Sequence, residues 1–483
     1  MIRLYYNKKY MGSMKKSDVF RAGRNFVSFW MVIVLFVIQG CRKDDPGPDP
    51  DPGDMAVYQY IQTLYYYVYY WNREVETYIL KRPPVSGNPE AYFESLKYDD
   101  NKASVSDLNA GRYDRWGFMS SFLDFTGVIV EGKYKSYGYN IKWTSDKKSV
   151  RVCFVYKDSP MYRAGIKRGY ELRKIGGMDI ETLSDPQINE ELNKETNHFV
   201  FADYAGNEIE KTISAAEVSI DPILHKAIYD VGGKKVGYIM YNSFIVASKE
   251  GITAVLQEMK NVDELILDLR YNGGGSTNVA EAICEYLLPS AYSNDSVVFA
   301  KYVFSDLTKE RQKWTDEIVK IKRQTSALDL SRLFIITTQA TASASEEVIN
   351  DMSSFLEVIT VGSATHGKPV GMGVWFYPPY TNEEMNAGNI PDYAFAPITF
   401  RNDNKDDKGS FFSGIAPTYS INDDLHHDFG VDPQTLEGEG CLQAVMQYIQ
   451  TEKFPASVSV KFIEGETFNH FQINGLQTFA GCR

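Results

Sequence analysis

Basic residues are in deficit: 51 Lys and Arg stand against 63 Asp and Glu over 483 residues, a formal net charge of −12. Without a basic excess the chain lacks the phosphate-attracting face of a general nucleic-acid binder. Cysteine is sparse. The five present, Cys41, Cys153, Cys284, Cys441 and Cys482, form no CxxC pair, which excludes the common zinc ribbons and thioredoxin-type redox motifs. No GxxxxGK phosphate loop follows the glycine run Gly273-Gly274-Gly275, there is no HExxH metal motif, and there is no 20–50-residue period that would mark a solenoid. What is present, 43% hydrophobic and 24% charged residues, is globular composition. A chain of 483 residues exceeds one ordinary core, so two or three domains are expected. The 33 tyrosines are spread along the chain and mark no single site.

The N-terminus reads as an address. Lys15, Lys16, Arg21 and Arg24 precede an almost wholly apolar run, Phe26 to Ile38, and Met14 is an alternative start. The 17 uncharged residues between Arg24 and Arg42 are short for a membrane span, and a basic start before a short apolar stretch is a secretory pattern. The ending Val37-Ile38-Gln39-Gly40-Cys41 resembles a bacterial lipobox, in which Cys41 is lipidated and becomes the new amino terminus. The competing reading is a plain membrane anchor. Residues 1–40 hold seven basic groups and one acid, so their removal takes the charge from −12 to −18. Arg42-Lys43-Asp44-Asp45 resembles the short acidic tag that some surface lipoproteins carry. Residues 41–54, alternating Asp, Pro and Gly, cannot bury enough to fold. The expected location is the cell envelope, lipid-anchored at the outer membrane. Export permits disulfides, with Cys441–Cys482 the expected pair, whereas Cys153 and Cys284 sit in apolar runs as buried thiols.

Three regions and a tail follow. Residues 55–126 read as a helical cap, because Tyr58, Ile61, Leu64, Tyr65 and Val68 recur at helical spacing; such a stripe is packing. Residues 127–217 read as a β-rich domain, with strands expected at Val128–Val130, Tyr139–Trp143 and Val150–Tyr156, and a helix starting at Ser159-Pro160. Residues 218–455 alternate strands (Val236–Met240, Leu265–Leu269, Leu333–Thr337) with helices (Val279–Leu288, Ala344–Phe355), which predicts a mainly parallel sheet covered by helices. Residues 456–483 form a tail with no evident place.

Three segments of the last region can carry chemistry. In Asp268-Leu269-Arg270-Tyr271-Asn272-Gly273-Gly274-Gly275 a buried strand ends in three glycines. This is either a tight strand-to-helix turn or a turn offering amide donors to an anion. In Thr341-Ala342-Ser343-Ala344-Ser345-Glu346 a strand enters a helix near Ser343. Ser343 with Glu346 makes a capping box; equally, a Ser343 hydroxyl at the positive helix end, beside the Ala344 amide, could serve as a nucleophile with an oxyanion donor next to it. In Gly362-Ser363-Ala364-Thr365-His366-Gly367-Lys368, Lys368 would ordinarily be a surface cation, but an amine buried among apolar groups becomes an available base. The six histidines include His366, two residues from Lys368 and an alternative base. Asn422-Asp423-Asp424-Leu425-His426-His427-Asp428 reads as a solvated loop or a metal cluster.

Taken together, Asp268-Leu269-Arg270-x-Asn272-x-Gly274-Gly275, Ser343-Ala344-Ser345-Glu346 and Gly367-Lys368 resemble the carboxyl-terminal processing (tail-specific) serine proteases. Lys368 falls 25 residues after Ser343, that family's Ser–Lys spacing. The resemblance implies a crotonase/ClpP-like mixed α/β catalytic domain, Ser343 as nucleophile, Lys368 as general base, Ala344 with Gly274 or Gly275 as oxyanion donors, and no metal or organic cofactor. It implies a peptide or protein substrate and leaves the oligomeric state open. Upstream, Ser159-Pro160, Ala164-Gly165-Ile166, Gly169, Leu172, Ile175 and Gly177 resemble a PDZ domain, with Tyr170 where an acid is usual. That likeness makes Tyr137, Gly138 and Tyr139 the peptide-binding loop, the alternative being a spacer that binds nothing. Two departures stand out: Met372 replaces a glutamine four residues after the lysine, and Ser354 an acid eleven after the serine. They favour the rival expectation, an inactive protease-fold protein that holds peptides or apolar ligands.

Overall fold

The computed structural model describes residues 52–81, 88–98, 114–144 and 146–456, with short backbone segments at 2–3, 467–469, 472–473 and 476–477. The expectations for the signal segment, for Cys41 and for most of the linker lie outside the described residues. Among the described residues no helix is long and apolar enough to cross a membrane.

A six-stranded sheet organises the chain. Its order is Ile223–Val231, Lys234–Tyr241, Glu264–Asp268, Arg332–Thr337, Glu357–Gly362 and Tyr419–Ser420. The first two form an antiparallel hairpin and every later pairing is parallel. The five residues of Glu264–Asp268 are all buried, as expected of a strand covered on both faces. Alternate side chains serve two cores. Leu265, Leu267 and Ile335 pack with Ile283 and Val348 of the helices Thr277–Leu287 and Ala344–Met352. Ile266 and Phe334 join the core that holds Leu442 and Val445 of the helix Gly440–Thr451. The same core takes in Tyr58, Ile61, Leu64, Tyr65 and Val68, all fully buried. The aromatic stripe of Pro52–Tyr67 is therefore packing.

Several expectations need correction. The mixed α/β class and the mainly parallel sheet hold, but a second sheet is not foreseen by the sequence: Val370–Gly373, Ile398–Asn404, Val297–Phe304 and Glu317–Ile321 pair antiparallel, with Ile2–Arg3 parallel at its edge. The region before residue 127 is not all helix: Phe118–Ser121 pairs with Tyr393–Ala396 in a three-stranded sheet. Val128–Val130 is not a strand. The Ser121 hydroxyl accepts from the Asp124 N–H (3.0 Å) and starts a helix at Phe122. That helix continues as a π-helical turn, Thr126–Glu131, until Gly132 ends it at φ 68°, so capping outweighs the strand preference of the valines. Cys441 is a buried free thiol whose Sγ faces the Asn422 carbonyl at 3.5 Å. The expected disulfide partner, Cys482, lies outside the described residues. Cys153 and Cys284 are buried free thiols.

Residues 137–214 build a separate β-rich unit with its own core, including Tyr137, Ile141, Leu172, Phe199 and Ile213. A buried ion network joins it to the large sheet. Arg270, fully buried, grips Asp268 (2.7 Å) and Glu439 and reaches Asp423 at 3.0 Å. From the β-rich unit, Arg168 reaches Asp423 at 3.2 Å and the Tyr271 hydroxyl at 2.7 Å, and Lys142 reaches Asp423 at 3.1 Å. Burial alone would raise the Asp423 pKa, but Lys142, Arg168 and Arg270 hold it well below the usual carboxylate range. The Asn422–Asp428 loop is thus neither simply solvated nor a metal cluster; it delivers Asp423 to a joint between two units. Among the described residues no group of three or more His, Cys, Asp or Glu is placed to hold a metal. Removing one partner strands the others as uncompensated buried charge. Arg270→Ala should cost about 3–5 kcal/mol in urea unfolding; a loss below about 1 kcal/mol would show the network to be incidental.

Candidate active site

The parallel strands Glu264–Asp268, Arg332–Thr337 and Glu357–Gly362 are neighbours, so the loops leaving their carboxyl ends emerge side by side, where open α/β sheets commonly place ligands. These loops carry the glycines, Ser343 and Lys368.

Ser343 sits at a sharp turn, φ 63° and ψ −117°, just before the helix Ala344–Met352. A non-glycine residue there costs about 1–3 kcal/mol and persists only where its surroundings over-determine it. They do. Ala342 N–H (3.0 Å) and the Ser345 hydroxyl (2.9 Å) both donate to the Asn272 carbonyl. The Thr341 hydroxyl donates to the Leu269 carbonyl at 2.8 Å, and the Thr338 hydroxyl to that of Arg270. The serine turn is therefore stitched to the glycine loop. Gly274, at φ 102°, cannot be replaced without movement: an added Cβ would sit 2.7 Å from Ser343 Cβ and 2.9 Å from the Ala344 nitrogen. Its own N–H donates to Asn272 Oδ1 at 2.8 Å. At Gly275, φ 139°, the ladder bonds to Phe244 are made by its neighbours, the Gly274 carbonyl (3.0 Å) and the Ser276 N–H (2.8 Å).

Glu346 joins this turn to the lysine loop. Its Oε2 accepts from the Ser343 N–H and from the Lys368 N–H, each at 2.8 Å. Its Oε1 accepts from the Thr365 hydroxyl and from the Gly367 N–H, each at 2.6 Å. Two amides bonded to one oxygen are at most twice that bond length apart, so the backbones of residues 343 and 368 are held close. Burial raises the Glu346 pKa and the four donors work against that rise. The Ser343–Glu346 spacing is legible in the sequence as a helix cap, but the carboxylate's second task, holding a loop some twenty residues onward, leaves no local signal. The Ser343 hydroxyl is fully buried and has no hydrogen-bond partner among the described residues. Lys368 is fully buried as well.

His366 is differently employed. Its Nε2 accepts the Trp116 indole N–H at 3.0 Å. Burial, then the charges of Arg115 and Lys368, push its pKa down to about 4, against the Gln339 carbonyl. Met372 is a fully buried core residue on Val370–Gly373. Ser354 follows the helix that begins after Ser343, and the buried acids of that helix lie earlier, at Glu346, Glu347 and Asp351. Tyr137, Gly138 and Tyr139 stand in the β-rich unit, apart from these loops. The two tyrosines are core residues, and the Gly138 N–H is held by the Ser136 hydroxyl at 2.9 Å.

Residues 235–419 match the model of peptidase family S41. The chain is 24% identical over 250 residues to a carboxyl-terminal-processing protease of Picosynechococcus, covering 50% of this chain and 56% of the relative. It is 26% identical over 247 residues to the protein of that name from Synechocystis (50% and 54%). It is also 24% identical over 275 residues to the chloroplastic carboxyl-terminal-processing peptidase 1 of Arabidopsis thaliana (54% and 51%). The chain thus spans about half the length of the curated relatives it matches. In structure it resembles a crystallised candidate S41 protease of Bacteroides fragilis, with a TM-score of 0.58 and 22% identity over 85% of this chain and 100% of the other, which establishes the mixed α/β fold.

In the helix Ala344–Met352, burial pushes the Asp351 pKa up to about 8, although Asn402 and Asn350 donate to its carboxylate. An unfolded aspartate is ionised above about pH 4. Between pH 4 and 8 the folded chain therefore holds one more proton here than the unfolded chain, and stability falls as pH rises through that window. Thermal midpoints should decline from pH 5 to pH 8.5, and less steeply in Asp351→Asn. Parallel slopes in the two proteins would contradict this.

Proposed function

We propose that the chain is a cell-envelope serine endopeptidase, anchored by lipid at Cys41 to the outer membrane, that cleaves peptides or unfolded proteins through a Ser343–Lys368 dyad. The observation that carries this reading is the Glu346 carboxylate, which binds the backbone amides of both residues at 2.8 Å. The organisation that goes with it is the helical cap at 55–126, a PDZ-like domain at 127–217 and a catalytic domain at 218–455.

The proposed chemistry begins with the Lys368 amine, whose burial disfavours its charged form. It takes the proton of Ser343 Oγ as that oxygen attacks the scissile carbonyl. The oxyanion is received by the Ala344 amide, at the positive end of its helix, and by an amide of the glycine loop. Gly275 suits this better than Gly274, whose N–H already serves Asn272. The Lys368 ammonium then protonates the leaving amine. Water, deprotonated by the same lysine, opens the acyl-enzyme and returns the serine proton. The strained Ser343 turn is of the kind that presents nucleophiles elsewhere. His366 fits the base poorly, because its Nε2 lone pair is taken by Trp116.

A second reading, a binder that does not cleave, draws on Met372: an apolar buried side chain cannot orient an amine as a glutamine could. One assay separates the two. The purified chain, Ser343→Ala and Lys368→Ala are incubated with a fluorescently labelled unfolded protein. We expect cleavage by the parent, falling about 10³-fold or more in both variants. Uptake without turnover by the parent would establish the binder, and cleavage that survives Lys368→Ala would assign the base elsewhere.

A further inference from the structure

The β-rich unit carries a strand that is not its own. Thr467–Asn469 runs antiparallel to Tyr139–Trp143, with Thr467 opposite Lys142, Phe468 opposite Ile141 and Asn469 opposite Asn140. In the order of that sheet Tyr139–Trp143 is otherwise the outermost strand, and an unpaired edge offers a row of backbone donors and acceptors to any extended segment. The helix Asp185–Leu192 also lies against the added strand. Trp143 Nε1 donates to Asp185 Oδ1 at 3.1 Å and ties one end of strand and helix together. The added segment thus lies where strand addition would place a peptide ligand, and it runs toward the Tyr137–Gly138 turn.

That turn is poorly prepared for a free carboxylate. The Gly138 N–H is already bonded to the Ser136 hydroxyl, a Cβ at Gly138 would lie 2.1 Å from Ser159 Cβ, and the Tyr137 hydroxyl donates to the Lys194 carbonyl. The occupant matches this, because fourteen residues follow Asn469 and its strand is internal to the chain. The tether is short. Phe454 is fixed by stacking on Tyr419 at 4.4 Å and by Tyr448 at 4.3 Å, and twelve residues separate it from Thr467, a reach of at most about 40 Å.

We infer that residues 467–469 are an intramolecular ligand of the β-rich unit: a strap that fills its strand-addition groove and must leave before an extended peptide can enter. The identity of the competing peptide as substrate rests on the PDZ-like and protease readings above; the strap does not. Backbone pairing of three residues is weak in isolation, but a short tether gives an effective concentration in the millimolar range, enough to hold off a free peptide of similar sequence.

The test uses the full chain and two variants, Thr467→Pro and Phe468→Pro. Adjacent strand positions point their N–H groups to opposite sides, so one of the two prolines must break the pairing. The probe is a fluorescein-labelled synthetic peptide of residues 464–472, titrated by anisotropy, with hydrogen exchange of residues 139–143 followed in parallel. We expect at least one proline variant to bind the probe about tenfold more tightly than the parent and to exchange those amides faster, with an unchanged thermal midpoint. Equal exchange and equal affinity in all three proteins would overturn the strap, as would a probe that none of them binds. Because neither readout involves cleavage, failure of the protease reading would leave this result interpretable.

Discussion

The carboxylate of Glu346 is the contact on which the arrangement depends. It lies on the first turn of the helix after Ser343, fully buried, and all four of its hydrogen bonds go to the two loops that the chemistry needs. A buried acid without donors would be expensive; with four, it becomes a rigid junction. The strand order brings three loops to one edge of the sheet, and this carboxylate, together with the His366 N–H that donates to the Thr341 carbonyl at 2.9 Å, fixes residue 368 relative to residue 343. The strain at Ser343 is tolerable for the same reason, since the turn is bonded on one side to Glu346 and on the other to Asn272.

A second layer of polar contacts sets the glycine loop. Arg270 and Tyr271 precede the glycines, and both are held by groups from distant parts of the chain, Asp423 and Glu439 from the carboxyl-terminal loops and Arg168 from the β-rich unit. Buried charge of this kind contributes little net stability but penalises any other arrangement of its partners. The relative seating of the β-rich unit and the glycine loop is thus specified by charge pairing together with aromatic packing, Phe154 lying 5.7 Å from Tyr271.

Much of this was legible in the sequence. Continuous apolar runs at Leu265–Leu269 and Leu333–Thr337 read correctly as buried strands, and the stripe from Tyr58 to Val68 as packing, because burial and periodicity are local properties. The failures are non-local. Val128–Val130 has strand composition, but a cap seven residues upstream decides its conformation. The second, antiparallel sheet pairs strands separated by long stretches of chain, for which no short pattern exists. Asp423 looked like a solvent-facing acid because its partners, Arg168 and Arg270, lie more than 150 residues away. Glu346 was visible as a cap and invisible as a bridge.

The claim that this carboxylate aligns a reactive serine with its lysine is open to one direct measurement: the rate at which a fluorophosphonate labels Ser343 in the parent and in Glu346→Gln, read by intact-mass spectrometry alongside the thermal midpoint. The amide keeps the side chain's size but sets N–H donors against backbone N–H donors, so the loops should part slightly while the fold persists. The account predicts labelling at Ser343 alone in the parent and about a hundredfold slower in the variant, the loss expected of a displacement near 1 Å. Equal labelling rates in two equally stable proteins, or no labelling of the parent, would contradict it.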